Sequence, residues 1–336
     1  MKITVLGAGT WGTALAIILK EKGNAVTLWS AIPSELEGLR ETRAHKNLPK
    51  ATIPDGIIYE PDIAAACREA ETVLFVVASE YIRATSRAAA PHLRDGVTVI
   101  SAAKGLEKGT LMTMTDVIDD EINATRPKLC RHIVALSGPT HAEEVALGLP
   151  TSIVAASADG QVATAVAELF RGSCIRAYTN TDVLGVELAG AVKNVIAIAA
   201  GILRGMGLGD NAAALLMTRG AAELTRIGLA MGCRRRTFMG LAGIGDLIVT
   251  CTSRHSRNNR CGEMLGRGVS YENAAKEIGM VVEGYYALEA AMALKDKYQV
   301  DMPITEAVYD IIFRGVTPKE AMVRLMKRDI KSELES

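Results

Sequence analysis

The chain has 336 residues, 49% of them hydrophobic and 23% charged, enough apolar side chain for the cores of two domains. Lysine plus arginine balances aspartate plus glutamate at 38 each, so no global field recruits nucleic acid or an anionic membrane, and any anion site must be built locally. The cysteines Cys67, Cys130, Cys174, Cys233, Cys251 and Cys261 are scattered without a CxxC pair, which predicts reduced thiols rather than a disulfide framework.

Met1 leads directly into the apolar run Ile3–Leu6, with no basic segment or cleavage pattern of a secretory signal, so the expected location is the cytoplasm. Further β-branched runs follow at Val26–Trp29, Thr72–Val77, Val97–Ser101, Ile133–Leu136 and Ser152–Ala156, alternating with helical patterns. Several are apolar on both faces. The rhythm predicts an α/β fold: an N-terminal doubly wound, Rossmann-like parallel sheet over residues 1–181. From Asp182 onward helical spacing takes over, as in Ala212–Met231 and Met280–Tyr298, and predicts an all-helical C-terminal domain over 182–330, followed by a polar tail at 331–336. Val183–Leu203 is long enough to cross a membrane, but Glu187, Lys193 and Asn194 interrupt it, and a central lysine costs roughly 3 kcal/mol on insertion scales; a buried helix is the better reading. Gly205–Gly209 reads as a turn between helices. The last helix has a clear start, with Thr317 as N-cap, Pro318 at its first position and Glu320 closing a capping box.

The chemistry begins at Gly7-Ala8-Gly9-Thr10-Trp11-Gly12, a GxGxxG loop placed directly after a strand and opening the predicted helix Trp11–Lys22. Gly7 permits the turn, Gly9 lets backbone approach a pyrophosphate, and Gly12 lets the helix sit close to the sheet with its N-terminus toward the phosphates. An NAD-selective site usually carries an acid about twenty residues later. Here that place is Ser30, with neither acid nor base through Ile32, and the next charges are Glu35, Glu37 and Arg40, so NADH and NADPH remain equal candidates.

Lys104 follows the Val97–Ser101 strand, and Ser137-Gly138-Pro139-Thr140 follows the next one, where open α/β sheets place ligand contacts. Lys193 sits beside Asn194 in an apolar helix; loss of water lowers a lysine's proton affinity and suits exchange with a carbonyl or alcohol, whereas a structural lysine would snorkel or pair with Glu187. Asp246, in the turn Gly243-Ile244-Gly245-Asp246-Leu247, either holds a charged Lys193 or caps a helix. Within Ser253–Arg260, Arg257 offers a planar fork for phosphate among short polar side chains, while Arg234-Arg235-Arg236 reads as solvated surface. The five histidines show no HExxH and no zinc spacing with cysteine, so no metal is expected.

Taken in order, Gly7–Gly12, Ser101–Gly105, Ser137–Thr140, Lys193-Asn194, Gly243–Leu247 and Ser256-Arg257-Asn258 resemble bacterial-type NAD(P)-dependent glycerol-3-phosphate dehydrogenase over nearly the entire chain. The resemblance implies hydride transfer between NAD(P)H and dihydroxyacetone phosphate, giving sn-glycerol 3-phosphate for glycerophospholipid synthesis. It implies Lys193 as proton donor and acceptor, supported by Asp246, with Asn194 and Thr250 lining the same pocket. Lys104, Gly138, Thr140, Ser256, Arg257 and Asn258 would hold the substrate, and Thr10, Trp11, Lys104, Ala142, Arg257, Val281 and Glu283 would touch the cofactor. A homodimer is expected on the same basis.

Three stretches depart from the family's usual pattern: Val77-Ala78-Ser79, Glu283-Gly284-Tyr285-Tyr286, and Ser30-Ala31, which lacks a basic or histidine side chain. Two rival readings are a reductase of a small keto acid such as ketopantoate, and a non-catalytic NAD(P)H sensor.

Overall fold

The computed structural model describes residues 1–330 and Ser332; the rest of the expected tail lies outside the described residues. The chain divides into two compact units, Met1–Glu107 with Met112–Glu187, and Lys108–Leu111 with Leu188–Ser336.

The first unit is built on an eight-stranded sheet of β1 (Lys2–Leu6), β2 (Ala25–Trp29), β3 (Ile58–Tyr59), β4 (Thr72–Phe75), β5 (Val97–Ser101), β6 (Arg131–Ser137), β7 (Thr151–Ala156) and β8 (Ile175–Asn180), in the order β3-β2-β1-β4-β5-β6-β7-β8. The apolar strands alternate their side chains between two cores. Val5, Leu28, Leu74, Ile100 and Val134 face one core, with Leu15 and Leu19 of the helix Thr10–Glu21 packed on them. Val73, Phe75, Val97 and Val99 face the other, covered by Val117, Ile118 and Ile122 of the helix Met114–Thr125. Each leucine or isoleucine so buried contributes roughly 1.5–3 kcal/mol relative to exposure.

Two details correct the sequence reading. The sheet is mostly, not wholly, parallel: β7 runs antiparallel to β6, and β8 then pairs parallel to β7. The path from Ser137 to Thr151 carries only the one-turn helix Ala142–Val145 and no helix of several turns to run back along the sheet, as a crossover between parallel strands usually does. Strands β3 and β8 were not anticipated. The former has two residues, and the latter is an edge strand with exposed Arg176, Tyr178 and Thr179, which lacks the apolar run of a buried strand.

The long apolar helix runs from Val183 to Gly205, and 94% of its most apolar 18-residue window is buried inside the protein, so its hydrophobicity serves a core. The second unit is helical, with Asp210–Ala230, Glu283–Tyr298, Pro303–Phe313 and Pro318–Met326 among its helices. The capping box at Thr317 and Glu320 is present, and Gly205–Gly209 is the turn between two helices. The helix Arg257–Gly266 lies directly on the Lys193 helix through two glycine pairs. A Cβ on Gly201 or Gly205 would come within 2.0 or 2.1 Å of the carbonyl oxygens of Asn259 and Glu263, and one on Gly262 would meet that of Ile198 at 2.0 Å.

Two buried acids cap other helices instead of pairing with cations. Glu187 accepts the backbone N–H of Thr115 at 2.9 Å and the hydroxyl of Thr115, at the start of Met114–Thr125. Glu223 accepts the N–H groups of Ile304 at 2.5 Å and Thr305 at 3.2 Å, at the start of Pro303–Phe313. Burial pushes both carboxyls up to about 7, against the hydrogen bonds that favour their ionised forms.

Candidate active site

In the first unit the glycine loop has the form its sequence dictates. Gly7 adopts φ +124°, and a Cβ there would strike the backbone of Val76 at 2.9 Å; a Cβ on Gly12 would lie 1.8 Å from the Gly7 carbonyl oxygen. At Gly9, the N-cap of Thr10–Glu21, nothing stands within 4 Å of a Cβ and no side chain caps the helix. An open cradle beneath uncapped helix N–H groups fits a pyrophosphate. Thr10 accepts a hydrogen bond from Asn47 Nδ2 at 3.0 Å, and Trp11 packs against the core behind the loop.

Lys104, Gly138 and Thr140 come together beyond the ends of β5 and β6. Lys104 Nζ donates to the Gly138 carbonyl at 3.0 Å, and the Thr140 hydroxyl donates to the same oxygen at 3.2 Å. Gly138 needs its φ of +135°, and a Cβ there would press on the Ser152 carbonyl at 3.1 Å. Ala142 opens the short helix that follows. The hydroxyls of Ser101 and Ser137, buried at the same strand ends, have no protein partner, which is unusual in a folded interior.

In the second unit Lys193, Asp246 and Thr250 form one buried cluster. Lys193 Nζ lies 2.9 Å from Asp246 Oδ1, with the two side chains 5% and 2% exposed, and donates to the Thr250 hydroxyl at 2.6 Å. That hydroxyl donates in turn to the Asp246 backbone carbonyl at 2.6 Å. Of the two roles left open for Asp246, the structure shows the ion pair, while Glu187 is committed to its helix cap. Removing one member of so buried a pair leaves an uncompensated charge, so the cluster locks the lysine's position. Cys251, beside it, is buried, and that burial pushes its thiol up to about 12, against formation of a thiolate.

Asn194 joins the same unit through Asn258, whose Nδ2 donates to Asn194 Oδ1 at 3.0 Å while its Oδ1 accepts the Gly284 N–H at 2.9 Å. Ser256 caps the helix Arg257–Gly266, and Arg257 Nη1 donates to the Val281 carbonyl at 2.9 Å. Val281 and Glu283 lead into the helix Glu283–Tyr298. The phosphate-type residues therefore sit at a helix N-terminus, whose N–H groups and dipole attract anions.

Sequence reasoning missed Asn259. It is fully buried; its Nδ2 donates to the Cys251 carbonyl at 2.8 Å, its Oδ1 accepts from Arg204 Nη1 at 2.8 Å, and its N–H donates to Ser256 Oγ at 3.2 Å. It thus ties together the helices carrying Lys193, Thr250 and Arg257. Only the paired four-residue spacings of Gly201/Gly205 and Gly262/Gly266 signalled that contact in the sequence.

A Rossmann sheet with an open glycine loop, followed by a helical unit around a buried lysine and acid, defines a nicotinamide-dependent dehydrogenase. The comparisons narrow the class. Residues 2–163 match the sequence model of the NAD-dependent glycerol-3-phosphate dehydrogenase N-terminus, and residues 182–323 that of its C-terminus. A glycerol-3-phosphate dehydrogenase [NAD(P)+] of Lactobacillus delbrueckii subsp. bulgaricus is 52% identical over 333 residues, 99% of each chain. The crystal structure of glycerol-3-phosphate dehydrogenase from Coxiella burnetii superimposes with a TM-score of 0.91 at 36% identity, over 97% of this chain and 99% of that one. A ketopantoate reductase from Ralstonia eutropha, covering 89% of this chain and 100% of its own, shares the fold alone, with a TM-score of 0.53 at 17% identity. The chain belongs to the NAD-dependent glycerol-3-phosphate dehydrogenase family.

Proposed function

We propose that this protein interconverts dihydroxyacetone phosphate and sn-glycerol 3-phosphate with NAD(P)H, residues 1–181 holding the dinucleotide and residues 182–330 the substrate and the proton donor. The buried Lys193–Asp246–Thr250 cluster within the family-matching segment carries this reading. Gly7, Gly9, Thr10, Trp11 and Gly12 would cradle the cofactor's phosphates, with Lys104, Ala142, Arg257, Val281 and Glu283 as its further contacts. When bound, the reduced nicotinamide supplies a hydride to the carbonyl carbon.

Lys193 gives a proton to the carbonyl oxygen as negative charge gathers there, so that one hydride and one proton convert the ketone to the secondary alcohol. Neutralising Lys193 leaves Asp246 as an uncompensated buried carboxylate 2.9 Å away, which draws a proton back onto the amine for the next turnover. In the oxidative direction the neutral amine accepts the alcohol proton. Arg257, Ser256 and Asn258 hold the phosphate at the helix N-terminus, with Asn194 fixing the Asn258 amide. Lys104, Gly138 and Thr140 supply the remaining substrate contacts.

The product would supply glycerophospholipid synthesis. Six free cysteines support a reducing, cytoplasmic setting, and the resemblance to the family is what supports a homodimer. Steady-state kinetics of two variants test the catalytic assignment. Lys193→Ala should lose roughly 10²- to 10⁴-fold in kcat, and Arg257→Ala should raise KM for dihydroxyacetone phosphate. Undiminished kcat in Lys193→Ala would remove the lysine from the chemistry, absence of turnover in the wild type would favour the sensor reading, and an unchanged KM in Arg257→Ala the keto-acid reductase.

A further inference from the structure

We propose that Glu35 reads the adenosine ribose of the cofactor, and that through it the protein prefers NADH to NADPH. The inference rests on the dinucleotide reading of the glycine loop and adds the residue that discriminates between the two nicotinamides. The end of β2 lies against that loop: the Gly7 N–H donates to the Trp29 carbonyl at 2.9 Å. The next residue, Ser30, is buried, and its side chain is too short and uncharged to bind a diol as an acid does. Its hydroxyl instead donates to Glu35 Oε2 at 2.7 Å and accepts the Ile32 N–H at 3.1 Å. Ser30 therefore serves as an anchor, and the carboxylate missing from the strand end arrives from five residues further on.

Local structure holds that carboxylate in place. Glu35 lies in the first turn of the helix Pro33–Thr42, whose N-cap, Ile32, offers no side-chain acceptor. A negative group at such an end is stabilised by the unpaired N–H groups and the helix dipole. Glu35 nevertheless remains exposed, so its other oxygen stays accessible. An anchored carboxylate at the end of the second Rossmann strand accepts hydrogen bonds from ribose hydroxyls and repels a 2′-phosphate.

The neighbouring cations are disposed the same way. Arg40 donates to the Tyr59 carbonyl at 3.0 Å and lies over the Tyr59 ring, while Arg43 donates to the Ile53 carbonyl at 3.1 Å and pairs with Asp55 at 3.0 Å. Lys46 is the competing candidate for a 2′-phosphate. It is exposed and adjoins Asn47, which bonds Thr10 of the loop. His45 lies within electrostatic reach of both Glu35 and Lys46, so the two charges share one neighbourhood.

Calorimetric titration of the full-length protein with ADP-ribose and with 2′-phospho-ADP-ribose isolates this contact from nicotinamide chemistry. The wild-type protein should bind ADP-ribose at least about tenfold more tightly, Glu35→Gln should narrow that ratio by about tenfold, and Ser30→Ala should narrow it less. Lys46→Ala should leave the ratio within about twofold. Equal or tighter binding of the 2′-phosphate ligand by the wild type overturns the inference. So does a Glu35→Gln variant in which both affinities move together, the signature of a helix-stabilising acid alone. If the wild type binds neither ligand, the dinucleotide reading itself fails and the inference falls with it.

Discussion

Glu187 makes stability depend on pH in a direction opposite to that of an ordinary salt-bridged carboxylate. Burial lifts its carboxyl from the usual 4.5 to about 7, because the three-donor cap from Thr115 and Thr113 does not fully replace lost water. Each pH unit of that gap is worth about 1.4 kcal/mol, so holding the group ionised costs the fold about 3 kcal/mol. The native state binds this proton more tightly than the unfolded chain does. Its contribution is therefore fullest below about pH 4.5, declines as pH rises through about 7, and is flat above that. Glu187→Gln keeps an amide oxygen for the Thr115 N–H and removes the charge. Urea unfolding of the full-length variant should match wild type near pH 4.5 and exceed it by about 3 kcal/mol at pH 8, while Glu223, also raised to about 7, preserves part of the wild-type slope. Parallel stability profiles for variant and wild type, or a variant less stable at pH 8, would refute this account of the cap.

Other substitutions probe different layers of the structure. Asp246→Asn leaves Lys193 buried without its counter-charge and should cost about 3–5 kcal/mol in urea unfolding; wild-type stability would show that the pair is not the one drawn here. Gly262→Ala places a methyl 2.0 Å from the Ile198 carbonyl oxygen, so it should destabilise by about 1–3 kcal/mol and raise KM for the phosphorylated substrate by displacing the Arg257 helix; unchanged kinetics would remove the glycine contact from the site's support. Gly38→Ala is the control: its Cβ meets nothing within 4 Å on the helix Pro33–Thr42, and it should stabilise by about 0.5–1 kcal/mol, measurable as a raised Tm.

The sequence made legible those features whose cause is local. Gly7, Gly9 and Gly12 are explained by the strand before them and the helix after them, and Lys193 announces itself because charge is so rare in an apolar helix. Arg257 was readable from the short polar residues around it. Features that need a partner from elsewhere in the chain were not. Asn259 is one polar residue among several until Arg204, Cys251 and Ser256 surround it. Glu35 stood only as the first charge after Ser30, and Ser30 as an absence, until a 2.7 Å hydrogen bond joined them. Likewise, β8 is polar along much of its length because it closes the sheet at an edge, and the reversal at β7 goes with a connection that carries only a one-turn helix.

Oxidation of NADH and of NADPH, each followed separately at 340 nm in roughly millimolar dihydroxyacetone phosphate, a concentration toward the upper end of ordinary KM values, tests the central claim most directly. The account predicts turnover that is faster with NADH and is lost in Lys193→Ala. Absence of dihydroxyacetone phosphate-dependent oxidation with either cofactor would contradict it.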